Sequence, residues 1–142
     1  MSATNETPST PIRILLVEDQ TIMRDVLSEW IGGIAGWQLV GACATLAEAR
    51  ARLQRGDVDV VVLDVQLPDG SGLDLTEGLE SVPMPRIVLV TAHEQPWLLR
   101  EASRAPVLGI VMKGAPLSDL RRAIERAAAG EPSYCRRTSE LM

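Results

Sequence analysis

A doubly wound α/β fold with a parallel sheet is the fold class that three features of this sequence predict. Five short apolar segments alternate along the chain with five segments of helical periodicity. The apolar segments are nearly continuous runs of Val, Ile and Leu, which is typical of parallel strands covered on both faces. At 142 residues, 46% of them hydrophobic, the chain can bury the core of one domain. We therefore expect five parallel strands and five helices.

The predicted strands share short length and β-branched content. The second contains more polar and small residues than the others, which favours a position at the edge of the sheet. In chain order the strands are IRILLV (12–17), WQLVGACA (37–44), VDVVVLDV (58–65), PRIVLV (85–90) and PVLGIVM (106–112).

The predicted helices cover 20–31, 45–56, 73–81, 94–105 and 117–130. The second begins with Thr45 and Glu48 at the spacing of a capping box and ends at Gly56. In the first helix one apolar stripe is predicted, formed by Ile22, Val26, Leu27 and either Trp30 or Ile31.

Composition excludes several classes of protein. A net charge of −5 argues against a general affinity for nucleic acid. No apolar run approaches the roughly 20 residues of a membrane helix, so no membrane association is expected. Residues 1–11 are a polar lead, expected to be disordered, without the features of a signal peptide. With two cysteines, too few for a disulfide scaffold, a cytoplasmic location is expected.

Polar or ionisable side chains follow four of the five predicted strands. Glu18 and Asp19 follow the first, Asp64 ends the third, Thr91 follows the fourth and Lys113 follows the fifth. In doubly wound sheets the ligand site lies outside the carboxyl ends of the strands. The flavodoxin-like strand order 2-1-3-4-5 makes the first and third strands neighbours, so the three acids should converge.

Converging carboxylates repel one another by about 3 kcal/mol per pair at about 5 Å and an effective dielectric constant near 20. Either a proton is retained or a cation is bound. Hard oxygen ligands without His or Cys suit Mg²⁺. Lys113, the only lysine among 14 basic residues, offers a compact charge for a phosphoryl oxygen. Together with the hydroxyl of Thr91, these groups favour phosphoryl transfer with an aspartate as acceptor.

Each of these residues also has a simpler interpretation. Glu18 and Asp19 could be charges or caps at a helix N-terminus, Asp64 could cap the next turn, and Thr91 could be a cap or turn residue. Lys113 could be a solvated surface residue, and His93 could be an ordinary loop residue. Their occurrence at four strand ends favours one shared site.

The chain resembles the receiver domain of two-component response regulators, the CheY-like fold, over nearly all of residues 12–130. The spacing of Asp64, Pro68 and Gly72 matches the family's acceptor, proline and glycine. The family's acidic pair, hydroxyl residue and lysine match Glu18 and Asp19, Thr91, and Lys113.

The resemblance implies a role for each matched position. Asp64 would accept a phosphoryl group from a cognate histidine kinase. Mg²⁺ would be bound by Asp19, by Asp64 and by the main-chain carbonyl of Gln66, and by Glu18 through a water. Thr91 and Lys113 would contact phosphoryl oxygens, and Gln66, His93 and Ile110 would tune the site.

Two positions depart from the family pattern. Ile110 lies three residues before the lysine, near where many receivers carry an aromatic residue. Gly114 follows the lysine, where many members have a proline after a cis bond, so a trans bond is expected here. Lys-Gly-Ala-Pro at 113–116 resembles receivers joined to a LuxR/NarL-type helix-turn-helix. Residues 131–142 would begin the linker to an effector domain absent from this chain.

The expected function is a phosphorylation-dependent switch that controls transcription. It would dimerise on phosphorylation and reach DNA only through the absent C-terminal domain. No enzymatic activity is expected beyond self-phosphorylation and self-dephosphorylation on Asp64.

Three alternatives remain open. The chain could be a stand-alone receiver that passes phosphate to other proteins, or a degenerate receiver used for docking. It could also be a phosphatase with an aspartyl-phosphate intermediate. Haloacid dehalogenase-like phosphatases need a second acid two residues after the nucleophile, where this chain has Gln66.

Overall fold

A parallel sheet of six strands forms the centre of the fold, in the order β2-β1-β3-β6-β7-β8. The computed structural model describes residues 10–76, 84–92 and 107–134. A separate antiparallel hairpin follows β3 and consists of β4 and β5. In chain order the strands are β1 (Ile12–Val17), β2 (Trp37–Cys43), β3 (Val60–Asp64), β4 (Gln66–Leu67), β5 (Gly70–Ser71), β6 (Arg86–Thr91), β7 (Val107–Met112) and β8 (Ser133–Tyr134).

The predicted strand order is confirmed, because the five predicted strands correspond to β1, β2, β3, β6 and β7. Strand β2 lies at the edge of the sheet, as its composition indicates. The two-residue strands β4, β5 and β8 were not predicted. Of these, β8 extends the main sheet. Strand β8 pairs with β7 in parallel, with Gly109 opposite Ser133 and Ile110 opposite Tyr134. The segment predicted to begin a linker therefore contributes a short strand to the sheet.

Three α-helices lie in the described part of the chain: α1 (Thr21–Gly32), α2 (Leu46–Leu53) and α3 (Leu117–Ala128). They correspond to the first, second and fifth predicted helices. The third predicted helix, 73–81, is represented by a 3₁₀ helix at Gly72–Thr76, and its remainder lies outside the described residues. The fourth predicted helix, 94–105, and His93 also lie outside them.

The capping pattern predicted for α2 is confirmed. Thr45 Oγ1 accepts a hydrogen bond from the Glu48 backbone N–H at 3.1 Å. The Glu48 carboxylate accepts from the N–H of Ala44, one residue before the cap, at 2.7 Å. Gly56, at φ +72°, follows the helix in the left-handed region that favours glycine.

The apolar stripe predicted for α1 was wrong at two positions. Leu27 and Ile31 are buried at 5% and 0% exposure, whereas Ile22 and Val26 are 80% and 52% exposed. Val26 and Leu27 are neighbours in sequence and therefore lie about 100° apart around the helix. A single contact with the sheet covers Leu27 and Ile31 and leaves the Ile22–Val26 face in solvent. Trp30 is partly buried.

The hydrophobic core consists of two layers, one on each face of the sheet. Successive residues of β1 alternate between them: Leu15 and Val17 pack on the side of α2, and Ile14 and Leu16 pack on the side of α1 and α3. This double coverage explains why the strands are continuous apolar runs. Ile110 belongs to the layer on the α2 side.

The carboxyl ends of the main strands meet at one edge of the sheet because every neighbouring pair in it is parallel. Val17 pairs with Leu63, and Asp64 pairs with Val90. The residues that follow β1, β3 and β6 are therefore neighbours. Among the residues that the structure describes, no helix has both the length and the apolar character needed to cross a membrane.

Candidate functional site

Three carboxylates converge at the carboxyl edge of the sheet. Glu18, Asp19 and Asp64 each place an oxygen within 4.8 Å of the others. The adjacency of β1 and β3 explains this convergence, because the two acids after β1 lie beside the last residue of β3. The sequence-based prediction that these side chains share one site is consistent with this geometry.

Lys113 connects the carboxylates to the end of β7. Its Nζ lies 3.0 Å from Asp64 Oδ2 and 3.4 Å from Glu18 Oε1. Its backbone N–H donates to the carbonyl oxygen of Thr91 at 2.8 Å, which holds the start of the loop against β6. The long side chain can therefore cross from the end of β7 to the end of β3. The bond between Lys113 and Gly114 is trans, as expected.

Backbone amides orient two of the three carboxylates. The Gln66 N–H donates to Asp64 Oδ1 at 3.1 Å, and the Gln20 N–H donates to Glu18 Oε2 at 3.0 Å. Both bonds link a carboxylate to the amide two residues later, so each acid is fixed by its own loop. Asp19 is more exposed to solvent than the other two acids.

The site carries more negative than positive charge. When all three acids are ionised, Lys113 balances one carboxylate and leaves two uncompensated. Burial raises the pKa of Glu18, and repulsion from Asp64 adds to this effect, while the Gln20 amide and Lys113 oppose it. Burial would lower the pKa of Lys113, but hydrogen bonding and attraction to Asp64 and Glu18 together raise it. Such a cluster favours a bound cation.

The chemistry of the donor set fits a divalent cation that prefers oxygen. Its ligand atoms are carboxylate oxygens, and two of the acids are almost fully buried, Glu18 at 2% and Asp64 at 5% exposure. Burying two carboxylates is costly unless positive charge accompanies them. Mg²⁺ suits this site because it takes few protein carboxylates and completes its shell with water or phosphate oxygens.

Gly72 is required by the path of the chain after Asp64. Its N–H donates to the carbonyl oxygen of Val65 at 2.6 Å. A Cβ at this position would lie 2.3 Å from the backbone oxygen of Asp64. The chain therefore returns so close to the acceptor strand that no side chain fits. This close approach gives a physical reason for a glycine eight residues after Asp64.

The other predicted site residues differ in their burial and in whether they contact the cluster. Thr91 is buried at the end of β6, one residue after the partner of Asp64 in the sheet. Gln66 is exposed and contacts Asp64 through its backbone. Ile110 is 3% exposed within the core and lies three residues before Lys113. The predicted tuning roles of Gln66, Ile110 and His93 stay predictions.

Sequence reasoning missed Arg24. Its Nη1 donates to the backbone oxygens of Glu18 and Asp19 at 2.9 and 3.3 Å and so ties the β1–α1 loop to the helix. An arginine one turn into the helix after an acidic pair is a visible signal. Its target is the backbone, however, which no residue pattern specifies.

Residues 14–125 match the family described as the response regulator receiver domain. The chain belongs to this family. The receiver is 33% identical over 120 residues to the DNA-binding transcriptional activator DevR/DosR of Mycobacterium tuberculosis, covering 84% of this chain and 55% of that protein. It is 31% identical over 121 residues to the response regulator GacA of Pseudomonas viridiflava, covering 84% and 56%. The receiver therefore spans about half the length of these curated relatives.

Solved structures confirm the fold of the receiver. A LuxR-family two-component response regulator from Aurantimonas sp. SI85-9A1 matches with a TM-score of 0.81 and 27% identity, covering 93% of this chain and 95% of that one. The isolated REC domain of RcsB from Salmonella enterica serovar Typhimurium, in the presence of phosphomimetic BeF₃⁻, matches with a TM-score of 0.80. It is 20% identical, with coverage of 94% and 99%, and this second likeness shows the fold alone.

Proposed function

We propose that this receiver is a phosphorylation-dependent switch of a two-component system and that Asp64 accepts a phosphoryl group from a cognate histidine kinase. The observation that carries the proposal is the position of the Asp64 carboxylate. It lies within 3.0 Å of the Lys113 ammonium and within 4.8 Å of oxygens from Glu18 and Asp19. Membership of the receiver family supports the same function.

In the proposed reaction an Asp64 oxygen attacks the phosphorus of a phosphohistidine. The new P–O bond forms as the P–N bond breaks, and the imidazole leaves with the electron pair of that bond. Lys113, already bonded to Asp64, would pair with a phosphoryl oxygen, and the Thr91 hydroxyl would donate to another. Self-phosphorylation and self-dephosphorylation on Asp64 are the activities that we propose.

Mg²⁺ would be held by Asp19, by Asp64 and by the main-chain carbonyl of Gln66, with Glu18 acting through a water. When bound, it would neutralise charge on the phosphoryl oxygens. The near-complete burial of Glu18, with one oxygen on the Gln20 amide and the other near Lys113, supports this indirect role.

The switch would follow from contacts that exist only after phosphorylation. The modification adds about two negative charges at a site prepared with a lysine and a cation. Contacts made only in one state shift a two-state equilibrium toward that state. The Lys113 backbone bond to Thr91 joins the ends of β6 and β7, so these ends and the loops after them are where we place the change.

We further propose a transcriptional output through dimerisation and a C-terminal LuxR/NarL-type DNA-binding domain. The support is similarity to a DNA-binding transcriptional activator and to a LuxR-family regulator. The kinase, the homodimer, the DNA contact and a cytoplasmic location all belong to this proposal.

The test of the acceptor is Asp64→Asn. Incubation with acetyl phosphate and Mg²⁺ should add the mass of one phosphoryl group to the wild-type chain and none to the variant, because an amide is not a sufficient nucleophile. Intact-mass spectrometry measures the addition. Asp74→Asn, an exposed acid in the 3₁₀ helix, is the control and should be labelled normally.

Labelling of Asp64→Asn at another residue would contradict the assignment. If neither acetyl phosphate nor beryllofluoride with Mg²⁺ perturbs the wild-type chain, a docking module would replace the switch. Steady turnover of small phosphomonoesters, far above self-dephosphorylation, would favour a phosphatase.

A further inference from the structure

The hairpin that follows Asp64 is tethered to the start of α2 by one side chain. Asp69 lies in the two-residue turn between β4 and β5. Its Oδ1 accepts from the Leu46 N–H at 2.9 Å, and its Oδ2 accepts from the Ala47 N–H at 3.1 Å. These amides belong to the first two residues of α2, more than 20 positions earlier in the chain. The tip of the hairpin is thus bound to another element.

The start of α2 is capped from two directions. The first amides of a helix lack partners within it and carry partial positive charge. Thr45 satisfies the Glu48 amide locally, whereas the amides of Leu46 and Ala47 depend on Asp69. The hydrogen bond from the Leu46 N–H, together with that from the Ala47 N–H, lowers the pKa of Asp69. The carboxylate is therefore ionised when it accepts these bonds.

The same hairpin contacts the proposed acceptor directly. Gln66, the first residue of β4, donates its N–H to Asp64 Oδ1 at 3.1 Å. At the other end of the hairpin, Gly72 passes against the Asp64 backbone oxygen with no room for a side chain. A movement of the hairpin would therefore move the Gln66 main chain relative to the Asp64 carboxylate.

A second contact links α2 to this segment just beyond the hairpin. Arg50, in the middle of α2, donates from Nη2 to the backbone oxygen of Asp74. The Leu46 side chain also packs beside Gly70, where an added Cβ would lie 3.1 Å from Leu46 Cδ1. Helix α2 thus contacts the segment after Asp64 at Asp69, Gly70 and Asp74, and among these contacts Asp69 provides the side-chain hydrogen bonds to the hairpin.

We propose that Asp69 is a positioning residue for the acidic site: its bonds to α2 hold the hairpin so that the Gln66 main chain stays on Asp64. The inference rests on the proposed function, in which the Gln66 carbonyl is a metal ligand. Asp69 acts only through Gln66. A purely structural cap, in contrast, would stabilise α2 without altering metal binding.

The test compares Asp69→Ala with Thr45→Ala. Both remove a cap from the same helix end, but only Asp69 lies on the hairpin. The Mg²⁺ affinity of the whole chain is measured by isothermal titration calorimetry. We expect about tenfold weaker binding in Asp69→Ala, in the range seen when a group supporting a metal ligand is lost. Thr45→Ala should bind within about twofold of the wild type.

Asp69→Asn keeps one acceptor oxygen and should restore part of the affinity. Circular dichroism shows whether Asp69→Ala folds. If it does not, Asp69→Asn replaces it in the comparison and should bind Mg²⁺ more weakly than Thr45→Ala. Equal Mg²⁺ affinities in the Asp69 and Thr45 variants would overturn the inference. If the wild-type chain binds Mg²⁺ but is never phosphorylated on Asp64, the proposed function is overturned. The Mg²⁺ affinities of the Asp69 and Thr45 variants would still decide whether Asp69 positions the metal site.

Discussion

Two residues near Asp64, Gly72 and Gln66, contribute to the site through their backbones rather than through their side chains. Gly72 has no functional group, yet its lack of a side chain lets the chain pass against the Asp64 backbone. The backbone amide of Gln66 reaches Asp64 while its side chain is exposed. The orientation of the Asp64 carboxylate therefore depends on a nearby backbone amide.

Gly72→Ala is therefore expected to destabilise the fold. The added Cβ would lie 2.3 Å from the Asp64 oxygen, so the backbone must move, at a cost of about 1–3 kcal/mol in the free energy of unfolding. Urea denaturation measures the loss. The control is Gly32→Ala at the end of α1, where a Cβ meets nothing within 4 Å and should stabilise by about 0.5–1 kcal/mol. Equal effects would show that the close approach at Gly72 is not a constraint.

The secondary-structure elements differ in how much of their position could be predicted from the sequence. The bounds of β1, β2, β3, β6 and β7 were predictable to within one or two residues because continuous apolar runs mark burial on both faces. The buried face of α1 was not, because its apolar residues occupy a wider arc than the sheet covers. Strand β8 had no sequence signal, since two residues carry no periodicity.

Strand β8 approaches β7 at a glycine. A Cβ on Gly109 would lie 3.0 Å from the Ser133 oxygen and 3.3 Å from the Ala123 Cβ. Gly109→Ala should therefore loosen β8, which hydrogen–deuterium exchange would show as faster exchange at Ser133 and Tyr134. Gly114→Ala, with nothing within 4 Å, is the control. Unchanged exchange in Gly109→Ala would mean that β8 tolerates the added carbon.

We expect carboxylates outside the site to contribute to the stability of the whole molecule at low pH. The Arg13 guanidinium lowers the pKa of Asp59, and that of Arg52 lowers the pKa of Asp57, in each case first by hydrogen bonding. The amides at the start of α2 lower the pKa of Asp69. A lowered folded-state pKa stabilises the fold above the unfolded value of 3.8, and this stabilisation is lost as pH falls through the folded value.

Asp59→Asn should reduce this acid-side loss. The pair with Arg13 is partly exposed, so solvent screening limits the effect to about 1 kcal/mol or less. The unfolding free energies are to be measured below pH 4.5. Above that pH the raised pKa of Glu18 makes the fold less stable as pH rises, which is the opposite dependence. Asp25→Asn, at an exposed position of α1, is the control. A variant with the wild-type slope would show that this pair does not contribute.

The sequence by itself determined the class of fold, the strand order expected for it and the set of residues at the strand ends. It could do so because apolar periodicity is local and parallel strands end at a common edge. Lys113 and Asp64 lie 49 positions apart, and Asp69 and Leu46 lie 23 apart. Only the tertiary structure decided these contacts, the exposed face of α1 and the place of β8. Such contacts join distant parts of the chain, and their geometry follows from packing, which no short pattern of residues records.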